Sequence, residues 1–324
     1  MRTNLVFLLP FFFIAPLHAN AIVEKGSFRF TPTQNQEATP DRFRLEERSF
    51  TFELERKNDL PAVGVSVFRL RFPSPVTSPV PENNTVHAEY YRPSGDGPFP
   101  GVIVLDITGG NQMLSRHIST FLSSHGVAAL FVQMAYYGPR RPPGSKLRLM
   151  TPNIPHTVAA VTQTVLDLRV ASAWLASRSE IDPNRLGITG TSLGSFLSAL
   201  TGEMEPRLGR VCVLLGGGGF VDGYMNHPLA KPWMGFFNAF GGGASALKKK
   251  IDPIDPLTYA GNLKQRRLLI LAASKDEIVP PSMAAKLWEK SGKQMIKWYD
   301  AGHYSAAFHI PDALDTILAH FISP

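Results

Sequence analysis

The chain has one cysteine in 324 residues, Cys212. A single thiol excludes an intramolecular disulfide, and the paired spacings of a zinc site are absent. Cys212 lies in the apolar run RVCVLL, which reads as a buried strand and makes it a core thiol rather than a nucleophile. Charge is scarce too. Asp, Glu, Lys and Arg together are 18% of the residues, low for a disordered or nucleic-acid-binding chain. The net charge of +7 is scattered, and its longest run, Lys248-Lys249-Lys250, reads as a solvated face. No nucleic-acid partner is expected. The sequence has no internal repeat and no low-complexity tract. It also lacks an apolar run long enough to span a bilayer: residues 5–17 are interrupted by Pro10 and Pro16.

That short apolar run does fit a secretory signal. Arg2 precedes it, and Ala19-Asn20-Ala21 follows it as an A-x-A cleavage site. The expectation is cleavage after Ala21, a secreted or periplasmic protein, and no stable membrane anchor, since no cysteine follows the site to carry a lipid. The sequence leaves the oligomeric state open. Hydrophobic residues are 44% of the chain, enough for one large core or two small ones.

Beyond the leader, residues 22–84 alternate polar and apolar residues in SFTFELER and VSVFRLRF, as strands do. They predict a β-rich N-terminal extension, closed by the proline-rich PSPVTSPVPENN. From residue 85 the rhythm changes. TVHAEYYRP, GVIVLDI, VAALFVQMAYYG, RLGITG, GRVCVLLGGGG, RRLLILAAS and QMIKWYD read as strands. LSRHISTFLSSHG, SLGSFLSALTG, SMAAKLWEKS and DALDTILAHF read as helices between or after them. Val158, Val161, Val165, Leu168, Ala171 and Leu175 mark one face of a further, amphipathic helix. Strands alternating with helices predict an α/β fold, a mostly parallel central sheet with helices on both faces. Sites in such sheets form at the carboxyl ends of the strands. Residues 138–156 and the irregular, cap-like 217–262 lie over those ends.

One such end carries Gly190-Thr191-Ser192-Leu193-Gly194, a G-x-S-x-G turn between a strand and a helix. Ser192 has to adopt a strained backbone there to expose its hydroxyl, and the glycines remove side chains that would collide. The helix start aims the N–H of Leu193 at the place where an oxyanion would form. A serine hydroxyl needs a base. Asp276 follows one later strand and His303 the last one. His303 would take the Ser192 proton and return it to the leaving group, while Asp276 orients the imidazole. Glu277 and Asp300 are weaker candidates for the acid, and His309 and His320 read as surface or packing residues.

GTSLG, SKDEIVP and AGHYS, in that order, resemble the nucleophile, acid and histidine segments of the α/β-hydrolase family over roughly residues 85–324. The stretch from PFPGVIVLDITGG to AYYG is similar to the dienelactone hydrolase, acetyl xylan esterase and acyl-CoA thioesterase branches. The resemblance implies an α/β-hydrolase fold and Ser192, Asp276 and His303 as catalytic residues. Where many members carry His-Gly at the second oxyanion donor, this chain has Asp106-Ile107. The donor expected here is the N–H of Thr108, with Gly109 close behind, and Asp106 reads as a turn former. The expected reaction is hydrolysis of a small-molecule carboxylic ester through an acyl-enzyme, with no metal or organic cofactor. Thioester and peptide hydrolysis use the same residues, and a noncatalytic binding protein on the same fold is the reading from another class. Phe220, Tyr224, Trp233, Phe236, Phe237 and Phe240 either line an acyl pocket or form the cap's own core. Tyr136 and Tyr137 follow a strand and are expected to face the site.

Overall fold

The computed structural model describes residues 22–33, 36–109, 111–225, 227–228 and 243–323. The expected leader, Gly110, and Trp233, Phe236, Phe237 and Phe240 of the cap lie outside them. Ten strands form one sheet in the order β1-β2-β3-β4-β6-β5-β7-β8-β9-β10. They are β1 (Ile22–Phe30), β2 (Arg48–Leu60), β3 (Val65–Pro73), β4 (Thr85–Pro93), β5 (Phe99–Leu105), β6 (Ala128–Val132), β7 (Ile181–Thr191), β8 (Leu208–Leu214), β9 (Arg267–Ala273) and β10 (Met295–Tyr299). The β1 to β4 run and the β4–β6 pair are antiparallel. From β6 to β10 every neighbouring pair is parallel.

Composition tracks this division. β6 and β8 are almost wholly apolar and buried because helices cover both faces of the parallel half. β2 instead alternates: Phe50, Phe52 and Leu54 point inward, while Glu53 and Glu55 face outward and receive Arg71 of β3 at 3.0 and 2.9 Å. Residues 22–84 therefore continue the main sheet through the β3–β4 pairing.

α2 (Ile154–Ala176), α3 (Leu193–Met204) and α7 (Pro281–Lys290) pack on one face; α1 (Met113–Ser124) and α8 (Ile310–Ile322) pack on the other. The span read as irregular contains α4 (Phe220–Tyr224), α5 (Gly243–Ile251) and α6 (Pro256–Tyr259). β6 stops at Val132, short of the predicted strand. The apolar run continues, but as a turn in which Tyr136 takes φ 64° and donates its N–H to Asn83 Oδ1 at 3.0 Å.

α2 departs most from the sequence reading. Almost every residue from Ala160 to Leu175 is buried, not one face of it. The N-terminal extension covers the side expected to meet solvent. Trp174 packs edge-on to Phe52 and Tyr90, with ring centroids 5.9 and 5.3 Å away. The helix's polar residues find partners instead of water. Asp167 pairs with Arg140 at 2.6 Å and accepts the Ser74 hydroxyl at 2.6 Å. Arg169 pairs with Glu205 at 3.1 Å and donates to the Phe43 carbonyl. Gln163 accepts from Asn83 Nδ2 at 2.7 Å.

Candidate active site

β7 delivers Ser192 to the carboxyl rim of the sheet. Its backbone sits at φ 52°, ψ −117°, in the left-handed half where a side chain is strained. The Ser192 N–H is tied to the Leu214 carbonyl at 2.9 Å, which helps hold the turn in place. A Cβ on Gly190 would strike the Gly194 carbonyl, and one on Gly194 would lie 2.5 Å from the Asp106 carbonyl. Both glycines are thus sterically required, as the turn's spacing predicts.

Two loops bring the partners. His303, beyond β10, places Nε2 3.1 Å from Ser192 Oγ and Nδ1 2.7 Å from Asp276 Oδ2. Asp276, beyond β9, accepts the N–H groups of Ile278 and Val279 on Oδ1 at 2.9 and 2.7 Å. Its side chain is nearly buried, 2% exposed, and that of His303 is 10% exposed. With Nδ1–H donating to Asp276, Nε2 is left as the acceptor for the serine proton.

The weaker acid candidates do other things. Glu277 accepts the backbone N–H of His303 at 2.9 Å, and that bond holds its carboxyl below the usual range. Asp300 pairs with Lys275 at 2.7 Å on the surface. His309 stacks on Tyr299 with centroids 4.9 Å apart. His320 is pushed down to about 4 by burial, then by the charge of Arg210. Burial pushes the Cys212 thiol up to about 12, as expected of a core residue.

Among the described residues, no acceptor takes the N–H of Leu193 or of Thr108. Asp106 Oδ1 receives the Ile107 N–H at 2.9 Å. Burial raises the Asp106 carboxyl. Tyr137 is not among the residues lining the two large cavities, and its hydroxyl meets Oγ1 of Thr108, which lines both, at 3.0 Å. Gly109, at φ 64°, lies beside Arg148 and is not among the residues lining either cavity. Tyr136 packs on His156 at 4.7 Å, also outside those walls.

Two cavities meet at Ser192. The larger, about 450 Å³, is walled by α3, by Met150, Pro152 and Ile154 of the 138–156 region, and by Phe220, Tyr224 and Leu247. Phe220 and Tyr224 of the cap thus line a pocket. The smaller, about 280 Å³, lies between α1 and α8 and takes in His303 and Tyr304. Sequence reasoning missed it, because apart from the motif residues Thr191, Ser192 and His303 and the predicted oxyanion residue Thr108 its walls are ordinary core-facing residues. Among the described residues, no group of three or more His, Cys, Asp or Glu could hold a metal ion. No helix among them is long and apolar enough to cross a membrane.

A model of the family "alpha/beta hydrolase domain containing 18" matches residues 44–233, and one of the prolyl oligopeptidase family matches residues 160–318. An uncharacterized protein of Mycobacterium tuberculosis is 26% identical over 161 residues. That match takes in 45% of this chain and 34% of the relative, so the chain spans about a third of that protein's length. Among solved structures, acetyl xylan esterase 1 of Thermoanaerobacterium sp. JW/SL YS485 superposes with a TM-score of 0.67 at 19% identity, over 84% of this chain and 88% of the other. The acetyl xylan esterase of Paenibacillus sp. R4 gives 0.67 at 21%, over 83% and 88%. A Klebsiella pneumoniae protein provisionally assigned as a dienelactone hydrolase gives 0.55 at 20%, over 80% and 99%. At these identities the likeness is one of fold.

Proposed function

The chain belongs to the family "alpha/beta hydrolase domain containing 18", and on that premise we propose that it is a serine hydrolase cleaving carboxylic esters through an acyl-enzyme on Ser192. The observation that carries this reading is the unbroken hydrogen-bonded series from Ser192 Oγ through His303 to Asp276. In the first half-reaction His303 Nε2 takes the hydroxyl proton as Oγ attacks the carbonyl carbon. The oxyanion meets the N–H groups of Leu193 and Thr108. The proton then passes to the departing alkoxide. In the second half, water repeats the attack with His303 as base, releasing the acid and restoring Ser192.

The test is labelling by a fluorophosphonate probe. It is expected on Ser192, lost in Ser192→Ala and weakened in His303→Ala; an unlabelled wild type overturns the proposal and favours a noncatalytic binder. Amide hydrolysis is a second reading, favoured by the prolyl oligopeptidase match across the serine, acid and histidine segments. Turnover of matched p-nitrophenyl esters and p-nitroanilides separates the two. Export is proposed on the leader pattern alone. Amino-terminal sequencing of protein recovered from the periplasm or medium should begin at Ile22, and an intact Met1 in purified protein would reject it.

A further inference from the structure

The two cavities at Ser192 lie on opposite faces of the sheet, one against α1 and α8, the other against α2 and α3. They share three residues: Thr108, Ser192 and Ile278. Among the described residues neither wall contains an Asp, Glu, Asn, Gln, Lys or Arg. Most of the polar groups present are already engaged. The Tyr299 hydroxyl donates to Asp312 at 2.7 Å, that of Tyr224 to the Ile278 carbonyl at 2.9 Å, and Thr157 to the Thr151 carbonyl at 2.9 Å. A sugar entering either cavity would lose the water on its hydroxyls and find few partners, a loss of about 1–3 kcal/mol for each group left unsatisfied.

Proton bookkeeping assigns the two cavities. His303 must hand its proton to the leaving oxygen, and His303 lines the smaller cavity and not the larger. Leu193, whose N–H receives the carbonyl oxygen, lines the larger and not the smaller. We infer that the substrate is an ester apolar on both sides of the scissile bond. Its alcohol portion occupies the α1/α8 cavity, and its acyl chain the cavity against α3, α4 and α5. This rests on the Ser192 nucleophile proposed above. When the Ser192 Oγ–carbon bond forms and the carbon–alkoxide bond breaks, the serine proton leaves on the alcohol and the acyl chain stays in its own cavity. The specificity differs from that of a sugar deacetylase, in spite of the shared fold. The approach to the smaller cavity suits a sparingly soluble ester. Tyr304 on its wall and Phe308, in the same short segment as the wall residues Ala306 and Ala307, are 73% and 86% exposed.

The test uses the mature protein and two ester series, p-nitrophenyl esters of lengthening acyl chain and acetates of lengthening n-alkyl alcohol, with acetylated xylose beside them. In both series kcat/KM should rise about fourfold per methylene, the equivalent of ~0.8 kcal/mol, until the cavity fills. Acetylated xylose should be cleaved more slowly than octyl acetate. Ala313→Phe, with Ala306→Phe as a second variant in case the first misfolds, should flatten the alcohol series and leave the acyl slope; Leu247→Trp should do the reverse. A flat alcohol series in the wild type, faster cleavage of the sugar acetate, or an effect of Ala313→Phe on the acyl series alone would overturn the assignment. Fluorophosphonate labelling of the same samples keeps the two questions apart. A labelled Ser192 with a flat series rejects only the two-sided specificity, whereas no labelling and no turnover rejects the nucleophile as well.

Discussion

Glu277 grips the backbone of His303, its carboxylate accepting that N–H at 2.9 Å, while the neighbouring Asp276 takes the ring of the same histidine. Two adjacent acids thus fix one residue at two points. Their substitutions should separate cleanly. Asp276→Asn should lower kcat by roughly 10³–10⁴-fold, because the imidazole loses its orienting charge. Glu277→Gln keeps an acceptor oxygen and should stay within about twofold of wild type. Glu277→Leu loses it and should fall about tenfold, in line with a hydrogen bond to a charged group. Steady-state hydrolysis of p-nitrophenyl acetate is the measurement, and equal losses in Gln and Leu would show that the contact does not position the histidine.

Strain at Ser192 is a second handle. Its φ of 52° suits glycine better than any side chain. Ser192→Gly and Ser192→Ala should both be inactive, yet the glycine variant should be the more stable by about 1–2 kcal/mol, the relief of strain exceeding the entropy added to its unfolded chain. Urea unfolding of the two proteins compares them directly.

Arg140 and Asp167 form an ion pair that is 0% and 1% exposed. Truncating either leaves a bare charge in the core, so Asp167→Ala or Arg140→Ala should cost about 3–5 kcal/mol. Arg140→Ala combined with Asp167→Ala should cost less than the sum of the single losses. Thermal melts of the four proteins close that cycle.

His320 should make the fold acid-sensitive. Its imidazole titrates near 4 when folded, against a usual value of 6.5. Between those values the unfolded chain binds a proton that the native chain refuses, so stability falls as pH drops from 6.5 and levels off below 4. The effect is on the order of 3 kcal/mol. His320→Phe should flatten Tm against pH across this window, less the part due to His87, whose imidazole burial also pushes down to about 4.

The parallel half of the sheet and the serine turn could be read from the sequence because local rules govern them. A strand covered on both faces has to be apolar throughout, and a serine forced into the φ 52° turn needs glycines at 190 and 194. The histidine and the acid could be found because the fold places such residues just past strand ends. Contacts between distant segments were not legible. Periodicity gave α2 a solvent face, and nothing local to residues 154–176 says that Ser74, Asn83 and Phe43 would cover it. The partner of Tyr137 was hidden for a similar reason: its position after a strand is local, but its hydroxyl reaches Thr108 across the rim. The cavity between α1 and α8 arises from how two helices separated by most of the chain fail to close, and no residue pattern marks such a gap.

The covering of α2 by residues 36–84 also bears on how this chain can diverge. Asp167, Gln163 and Arg169 look to Ser74, Asn83 and Phe43 for partners. A gene fragment starting at β4 would therefore encode a product in which three buried polar residues of α2 have each lost a partner, though Asp167 would keep Arg140 and Arg169 would keep Glu205. Recombination that trades the first quarter of the chain for another leader segment would be selected against unless the helix changed with it. The two stretches are bound to evolve as a single inherited block.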